Sequence, residues 1–143
     1  MMQKETSFQD MFLDFFEIYR IVHATVASHL QRYGLNEKTL SILLMLTRQK
    51  TGMAPSRLAK GLNLTKGAVS TMVESLAHAG FVERQPNRFD RRTVTIQLTE
   101  KGRSYISTIL SSVPKLRAEI LSQLKPEQQR GLLEKSILGI QNP

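Results

Sequence analysis

Apolar side chains recur along this chain at spacings of three and four, switch to partial alternation past its middle, and then return to helical spacing. Phe8, Phe12, Phe15, Tyr19, Val22, Val26 and Leu30 fall three or four apart and predict one long helix over 8–33. Met11, Phe16, Ile18 and Ile21 widen that stripe well past a single core face. A helix apolar over so much of its circumference needs two surfaces to pack on, its own domain and a second copy of itself. Asp10, Asp14 and Glu17 share one side and read as a solvated stripe rather than a ligand face. Gly34 is placed to end the helix. A second helix is predicted over 36–50. Asn36 is its N-cap, and Leu40, Leu43, Leu44 and Leu46 form its buried face. Arg48 and Lys50 occupy its last turn, where the dipole favours positive charge, and Thr51-Gly52 breaks it.

A compact pair follows. Residues 54–61, with Pro55 near their start, predict a short helix, and 61–64 a tight turn. Thr65 then caps a third helix over 65–79, closed by Gly80. Two helices joined by a short turn containing Gly form the helix-turn-helix pattern. On a helical wheel, Ala68, Val69, Met72, Val73 and Leu76 gather on one side of the third helix. Lys66, Gly67, Ser70, Thr71 and Glu74 gather on the other. Ser and Thr are weak helix formers, so a face built from them suits a groove better than plain solubility. Hydroxyls can bond phosphates and base edges, and Gly67 admits close approach of the backbone. Taken alone, this helix fits an ordinary amphipathic helix equally well.

Residues 81–86 and 93–98 read as two strands of a hairpin, the second rich in Thr, Val and Ile. The loop between them is NRFDRR, with Arg88, Arg91 and Arg92 around Asp90. Such a loop is either a solvated turn or a basic finger aimed at a polyanion. Thr99 caps a helix over 100–122. Within it Pro114 lacks an amide hydrogen and clashes with the preceding turn, which predicts a kink or break near Ser111 and Ser112. Pro126 opens a last helix over 126–140, with Leu132, Leu133, Ile137 and Ile140 on its apolar face.

Charge favours the basic finger, although a generic basic surface also fits it. Residues 48–103 hold eleven Lys and Arg against four Asp and Glu, a net of +7, while the flanks together hold nine against eight. Positive charge gathered in the middle of the chain is the footprint of a nucleic-acid surface. A length of 143 residues allows one domain with a dimerisation extension. With no cysteine there is no disulfide, thiolate metal site or thiol switch. His23 and His29 lie six apart, which is not a two-ligand spacing, so no metal and no cofactor are expected. The first residues mix charges before any apolar run and do not resemble a signal peptide. No apolar run approaches the roughly 20 residues of a membrane span, and a cytoplasmic protein is expected. No Gly-rich phosphate loop or catalytic triad suggests an enzyme.

The stretch LAKGLNLTKGAVSTMVESLAHAGFVER, the wing RFDRRTVTIQLTEKG and the flanking helices together resemble the MarR family of bacterial transcription regulators. Asp90-Arg91-Arg92, followed by a strand ending Leu98-Thr99 and then Gly102, is the most specific piece. The resemblance implies a mainly α fold with a small β-hairpin wing. A winged helix-turn-helix over 35–99 would carry dimerisation helices from 1–34 and 100–143. It implies that Thr65, Lys66, Gly67, Ser70 and Thr71 enter the major groove of double-stranded DNA. Arg84, Arg88, Arg91 and Arg92 would serve the wing, with Asp90 holding Arg92, and Arg57 would meet the backbone. Many members carry a basic residue where Ser75 stands, so this chain departs from the family there. The family's thiol-based peroxide sensing is excluded by the absence of cysteine.

By the same resemblance the protein is a homodimeric repressor on a pseudo-palindromic operator, released by a small aromatic or anionic effector. Tyr19, His23, Tyr33 and Arg48 are candidates for the effector's cleft, although each also fits an ordinary core or surface role. The competing expectation is an architectural DNA-binding protein with no effector. Uniform phosphate binding would, however, use more Lys and Arg on the third helix than Ser and Thr.

Overall fold

The computed structural model describes residues 7–132. Helix α1 (Phe8–Gln31) is followed by α2 (Glu37–Thr47), α3 (Pro55–Leu62), α4 (Lys66–His78), β1 (Val82–Pro86), β2 (Val94–Leu98), α5 (Glu100–Ser111) and α6 (Val113–Gln123). The chain forms two compact units, Leu30–Ser112 and a second made of Met1–His29 with Val113–Pro143. The expected mainly helical fold with a two-stranded wing is present, and it is a winged helix-turn-helix.

The unit Leu30–Ser112 closes on a core that every element supplies. Ile42, Leu43 and Leu46 come from α2, Leu58 from α3, Val69, Val73 and Leu76 from α4. Val82, Ile96 and Leu98 come from the hairpin, and Ile106 and Ile109 from α5. Helix α2 starts with a reciprocal capping box: the Thr39 amide donates to Asn36 Oδ1 at 2.9 Å and the Asn36 amide to Thr39 Oγ1 at 3.0 Å. It stops at Thr47 rather than at 50. The chain beyond it is drawn into pairing with β2. Met53 donates to the Ile96 carbonyl at 2.9 Å and accepts from the Ile96 amide at 2.7 Å.

In the turn between α3 and α4 the left-handed residue is Asn63 (φ 54°), not glycine. Gly61 lies inside α3 against Met45, where a Cβ would meet the Met45 Cε at 2.6 Å. Thr65 caps α4 as expected, its Oγ1 accepting from the Ala68 amide at 3.1 Å. At the far end Gly80 (φ 84°) turns the chain out of the helix, and the Phe81 amide reaches back to the Leu76 carbonyl at 2.9 Å. β1 and β2 pair antiparallel from Val82 with Leu98 to Pro86 with Val94. Thr99 joins this corner to α5. It donates to the Gly80 carbonyl at 2.6 Å and accepts from the Gly102 amide at 3.0 Å.

The predicted defect at Pro114 is a full break: α5 ends at Ser111, Ser112 caps it, and α6 begins at Val113. In the other unit, Asp14 is more than a solvated charge, because its Oδ1 accepts from Gln128 Nε2 at 2.6 Å. Gln123 Nε2 likewise donates to Thr25 Oγ1 at 2.9 Å. The last helix is described over 126–132, and Leu133, Ile137 and Ile140 lie outside the described residues. Along α1, Phe8, Met11, Phe12, Leu13, Phe15, Phe16 and Tyr19 are all more than half exposed.

Candidate nucleic-acid interface

Helix α4 buries Val69, Val73 and Leu76 and exposes Thr65, Lys66, Gly67, Ser70 and Thr71. The inner face fixes the outer one, since turning the helix would expose its three core residues. A Cβ added at Gly67 would meet nothing within 4 Å. No internal contact therefore demands glycine there. Thr71 Oγ1 donates to the Gly67 carbonyl at 3.1 Å, a bond within the helix that an incoming acceptor can replace.

The hairpin sets Arg84 beside this face. Arg84 pairs across the strands with Ile96. Together with Ser70, Pro55, Val73 and Val94 it lines a pocket of about 230 Å³, so a serine of α4 and an arginine of β1 share a wall. On the other side a cleft of about 650 Å³ is lined by Lys50, Arg57, Arg88 and Phe89 among others, with no acidic residue. The pairing of Met53 with Ile96 brings residues 50–57 to the wing.

The loop NRFDRR is ordered by its own hydrogen bonds. The Asn87 amide donates to the Thr93 carbonyl at 2.8 Å, and the Thr93 amide to the Asp90 carbonyl at 3.1 Å. The Phe89 amide donates to Asn87 Oδ1 at 3.0 Å. Asp90 Oδ1 accepts from the Arg92 amide at 3.0 Å and lies 3.7 Å from Arg92 Nε. Asp90 therefore fixes the backbone of the turn first and touches the guanidinium only loosely. Arg88, Arg91 and Arg92 are exposed.

Among the other residues singled out from sequence, Tyr19 and His23 stack at 5.7 Å between ring centroids in one unit. In the other, Tyr33 meets Tyr105 edge-on at 6.1 Å and its carbonyl accepts from the Tyr105 hydroxyl. Burial, and then the neighbouring Tyr33, push the Tyr105 phenol above its ordinary value of 10.0. Arg48 is exposed at the C-terminus of α2. Among the described residues no three His, Cys, Asp or Glu side chains cluster to hold a metal, and no helix is long and apolar enough to cross a membrane.

Lys50 and Phe89 join the basic cleft only in the folded chain. Lys50 was one charge in a helix end, and only the Met53 pairing carries it to the wing. Phe89 left a signal that patterning discards, a single aromatic residue inside a charged loop.

Residues 35–94 match the model of the MarR family. Of curated relatives, the HTH-type transcriptional repressor YetL of Bacillus subtilis (strain 168) is 30% identical over 102 residues, 71% of this chain and 61% of YetL. The chain spans less than two thirds of the length of the first curated relatives it matches. Those relatives are named as transcriptional regulators and repressors, not as enzymes. The Mycobacterium tuberculosis MarR family protein Rv2887, solved in complex with DNA, superposes with a TM-score of 0.68 at 24% identity, covering 93% of this chain and 97% of that one. CouR from Rhodococcus jostii RHA1, solved bound to p-coumaroyl-CoA, gives 0.68 at 22% identity over 99% of this chain and 97% of its own. At those identities the likeness is one of fold.

Proposed function

We propose that this chain is a member of the MarR family and, on that footing, a homodimeric, sequence-specific DNA-binding regulator of the bacterial cytoplasm, a reading supported by the match of residues 35–94 and by the likeness to YetL. It acts as a repressor that a small molecule releases. Residues 35–99 bind DNA, and 1–34 with 100–143 build the dimer. Thr65, Lys66, Gly67, Ser70 and Thr71 meet the major groove. The wing meets the adjoining minor groove with Arg84 and Arg92, Arg88 and Arg91 meet phosphates, Asp90 sets the turn that carries Arg88, Arg91 and Arg92, and Arg57 meets a phosphate. The observation that carries this function is the joint exposure, on one unit, of a hydroxyl-bearing helix face and a hairpin tip with three arginines. Phosphate contacts supply affinity, and hydroxyl and arginine contacts to base edges supply sequence preference.

The dimer draws support from the exposed apolar stripe of α1, too large to leave in water without a partner. Two-fold symmetry then calls for half-sites about 10 base pairs apart. For the effector, the bound p-coumaroyl-CoA of CouR favours an aromatic or anionic molecule. Tyr19, His23, Tyr33 and Arg48 are the side chains to test against it. Such a molecule releases DNA only through unequal affinity for the two conformations.

The deciding experiment is a selection. The purified protein is incubated with sheared genomic DNA at about 0.15 M salt and the retained fragments are sequenced. A few fragments sharing an imperfect palindrome are expected. Retention at random would replace the regulator by an architectural DNA-binding protein, and no retention would remove DNA as the partner.

A further inference from the structure

Phe89 lies in the loop between β1 and β2 and is 96% exposed, more than any other large apolar side chain described. A lone exposed apolar residue is ordinary and usually carries no meaning. Three features set this one apart. It lies beyond the last strand pair, Pro86 with Val94, at the tip of the hairpin. Its backbone is already held, by the Phe89 amide on Asn87 Oδ1 at 3.0 Å and by the Asn87 and Thr93 closures, so little ordering is left to pay for on binding. Its neighbours are Arg88 on one side and Arg91 and Arg92, across Asp90, on the other, all exposed.

We propose that Phe89 is an apolar wedge that enters the DNA minor groove beside these arginines and partly unstacks one base step. The proposal rests on the DNA-binding function above and adds to it a residue and a means of sequence preference. A narrow minor groove concentrates negative potential and attracts arginine. Phe is also among the side chains that minor-groove proteins insert between base pairs. A single ring offers too little apolar area to anchor a membrane or to form the centre of a protein interface, whereas it matches one base step in size. Pyrimidine–purine steps unstack most readily, so the wedge makes the protein prefer such a step under the wing without any hydrogen bond to its bases.

The test uses a duplex recovered from the genomic selection, or an A·T-rich duplex if retention is unspecific. 2-Aminopurine replaces adenines in the flank the wing covers. Affinity and 2-aminopurine fluorescence are measured over a range of salt for the wild type, Phe89→Ala, Phe89→Leu and Arg88→Ala. Because Phe89 is exposed, Phe89→Ala should melt as the wild type does, and Phe89→Leu keeps an apolar wedge as a second check.

Wild-type binding should raise the fluorescence of one probe. Phe89→Ala should lose that rise and bind on the order of tenfold more weakly. Its salt dependence should be unchanged, since a neutral side chain releases no counterion, whereas Arg88→Ala should flatten the log–log slope by about 0.9. Phe89→Leu should keep part of both signals. If the wild type binds and Phe89→Ala matches it in affinity, or no probe responds to the wild type, the wedge is overturned and DNA binding stands. If the wild type binds neither duplex, DNA binding itself falls and the wedge with it.

Discussion

Gly102 approaches the carbonyl of Phe81 so closely that a Cβ placed on it would sit 2.1 Å from the oxygen. The contact locks the first turn of α5 against the corner where α4 ends and β1 begins. Thr99 bonds both sides of the same corner. In an open helix, Gly→Ala gains about 1 kcal/mol. Here the neighbour is backbone and cannot swing aside. Gly102→Ala should therefore destabilise the protein, by about 1–3 kcal/mol as for other overpacked sites. Urea unfolding reads the sign directly, and an unchanged or raised midpoint would mean that α5 can shift without cost.

Thr65 holds the other end of α4. Its Oγ1 satisfies the Ala68 amide at 3.1 Å, one of the donors a helix start leaves without a partner. Thr65→Ala should cost about 1 kcal/mol, and Thr65→Ser much less, because the hydroxyl remains. The same pair separates folding from binding. If Thr65 also meets DNA through its hydroxyl, Thr65→Ser keeps most of the affinity as well. If the methyl group makes the contact, affinity falls while the melting temperature holds. Thermal melts beside DNA titrations distinguish the two.

These two positions also show what the sequence could and could not reveal. Thr65 was legible as a cap because the signal is local, a hydroxyl before a helical stripe. The burial of Val69, Val73 and Leu76 followed from periodicity for the same reason. Gly102 was visible as part of a motif, but its cause was not, since the Phe81 carbonyl lies far from it along the chain. The pairing of Met53 with Ile96 was hidden likewise, because a single bridged residue has no alternation to detect. That one bridge carries Lys50 and Arg57 to the wing, so the cleft beside Arg88 was not readable from pattern. Glycine was expected to make the turn before α4, and Asn63 makes it instead, as its short polar side chain tolerates the left-handed region.

Asp90 offers a test in which charge and geometry predict opposite signs. Removing a carboxylate from a DNA-facing loop raises the net charge and should by itself tighten binding. Yet Asp90 Oδ1 accepts from the Arg92 amide at 3.0 Å and so pre-sets the turn. Losing that bond leaves a residue or more to be ordered on binding, about 1–2 kcal/mol each. Asp90→Ala should therefore weaken binding, by about tenfold, despite the added positive charge. Asp90→Asn keeps the acceptor and drops the charge, and should bind as tightly as the wild type or more so. If Asp90→Ala binds more tightly than the wild type, the aspartate does not organise the wing.

Tyr105 links stability to alkaline pH. Its ring stacks on Phe81 at 4.3 Å and its hydroxyl donates to the Tyr33 carbonyl, so ionisation would cost both burial and a hydrogen bond. Burial first, and then Tyr33, raise the phenol above 10.0 in the folded protein. Above that value the unfolded chain gives up the proton while the folded one keeps it. The unfolded state then binds fewer protons, and stability falls as pH rises. The contribution is fully present below about pH 10 and is lost as pH climbs through the raised folded value. Tyr105→Phe removes the titrating group and the donor together. It should be less stable at neutral pH by about 1 kcal/mol, the net worth of one hydrogen bond. It should also lose less stability than the wild type between about pH 10 and 11. Urea unfolding of both proteins across that range, compared as a difference, cancels the other tyrosines. Parallel curves for the two proteins would show that Tyr105 does not carry this dependence.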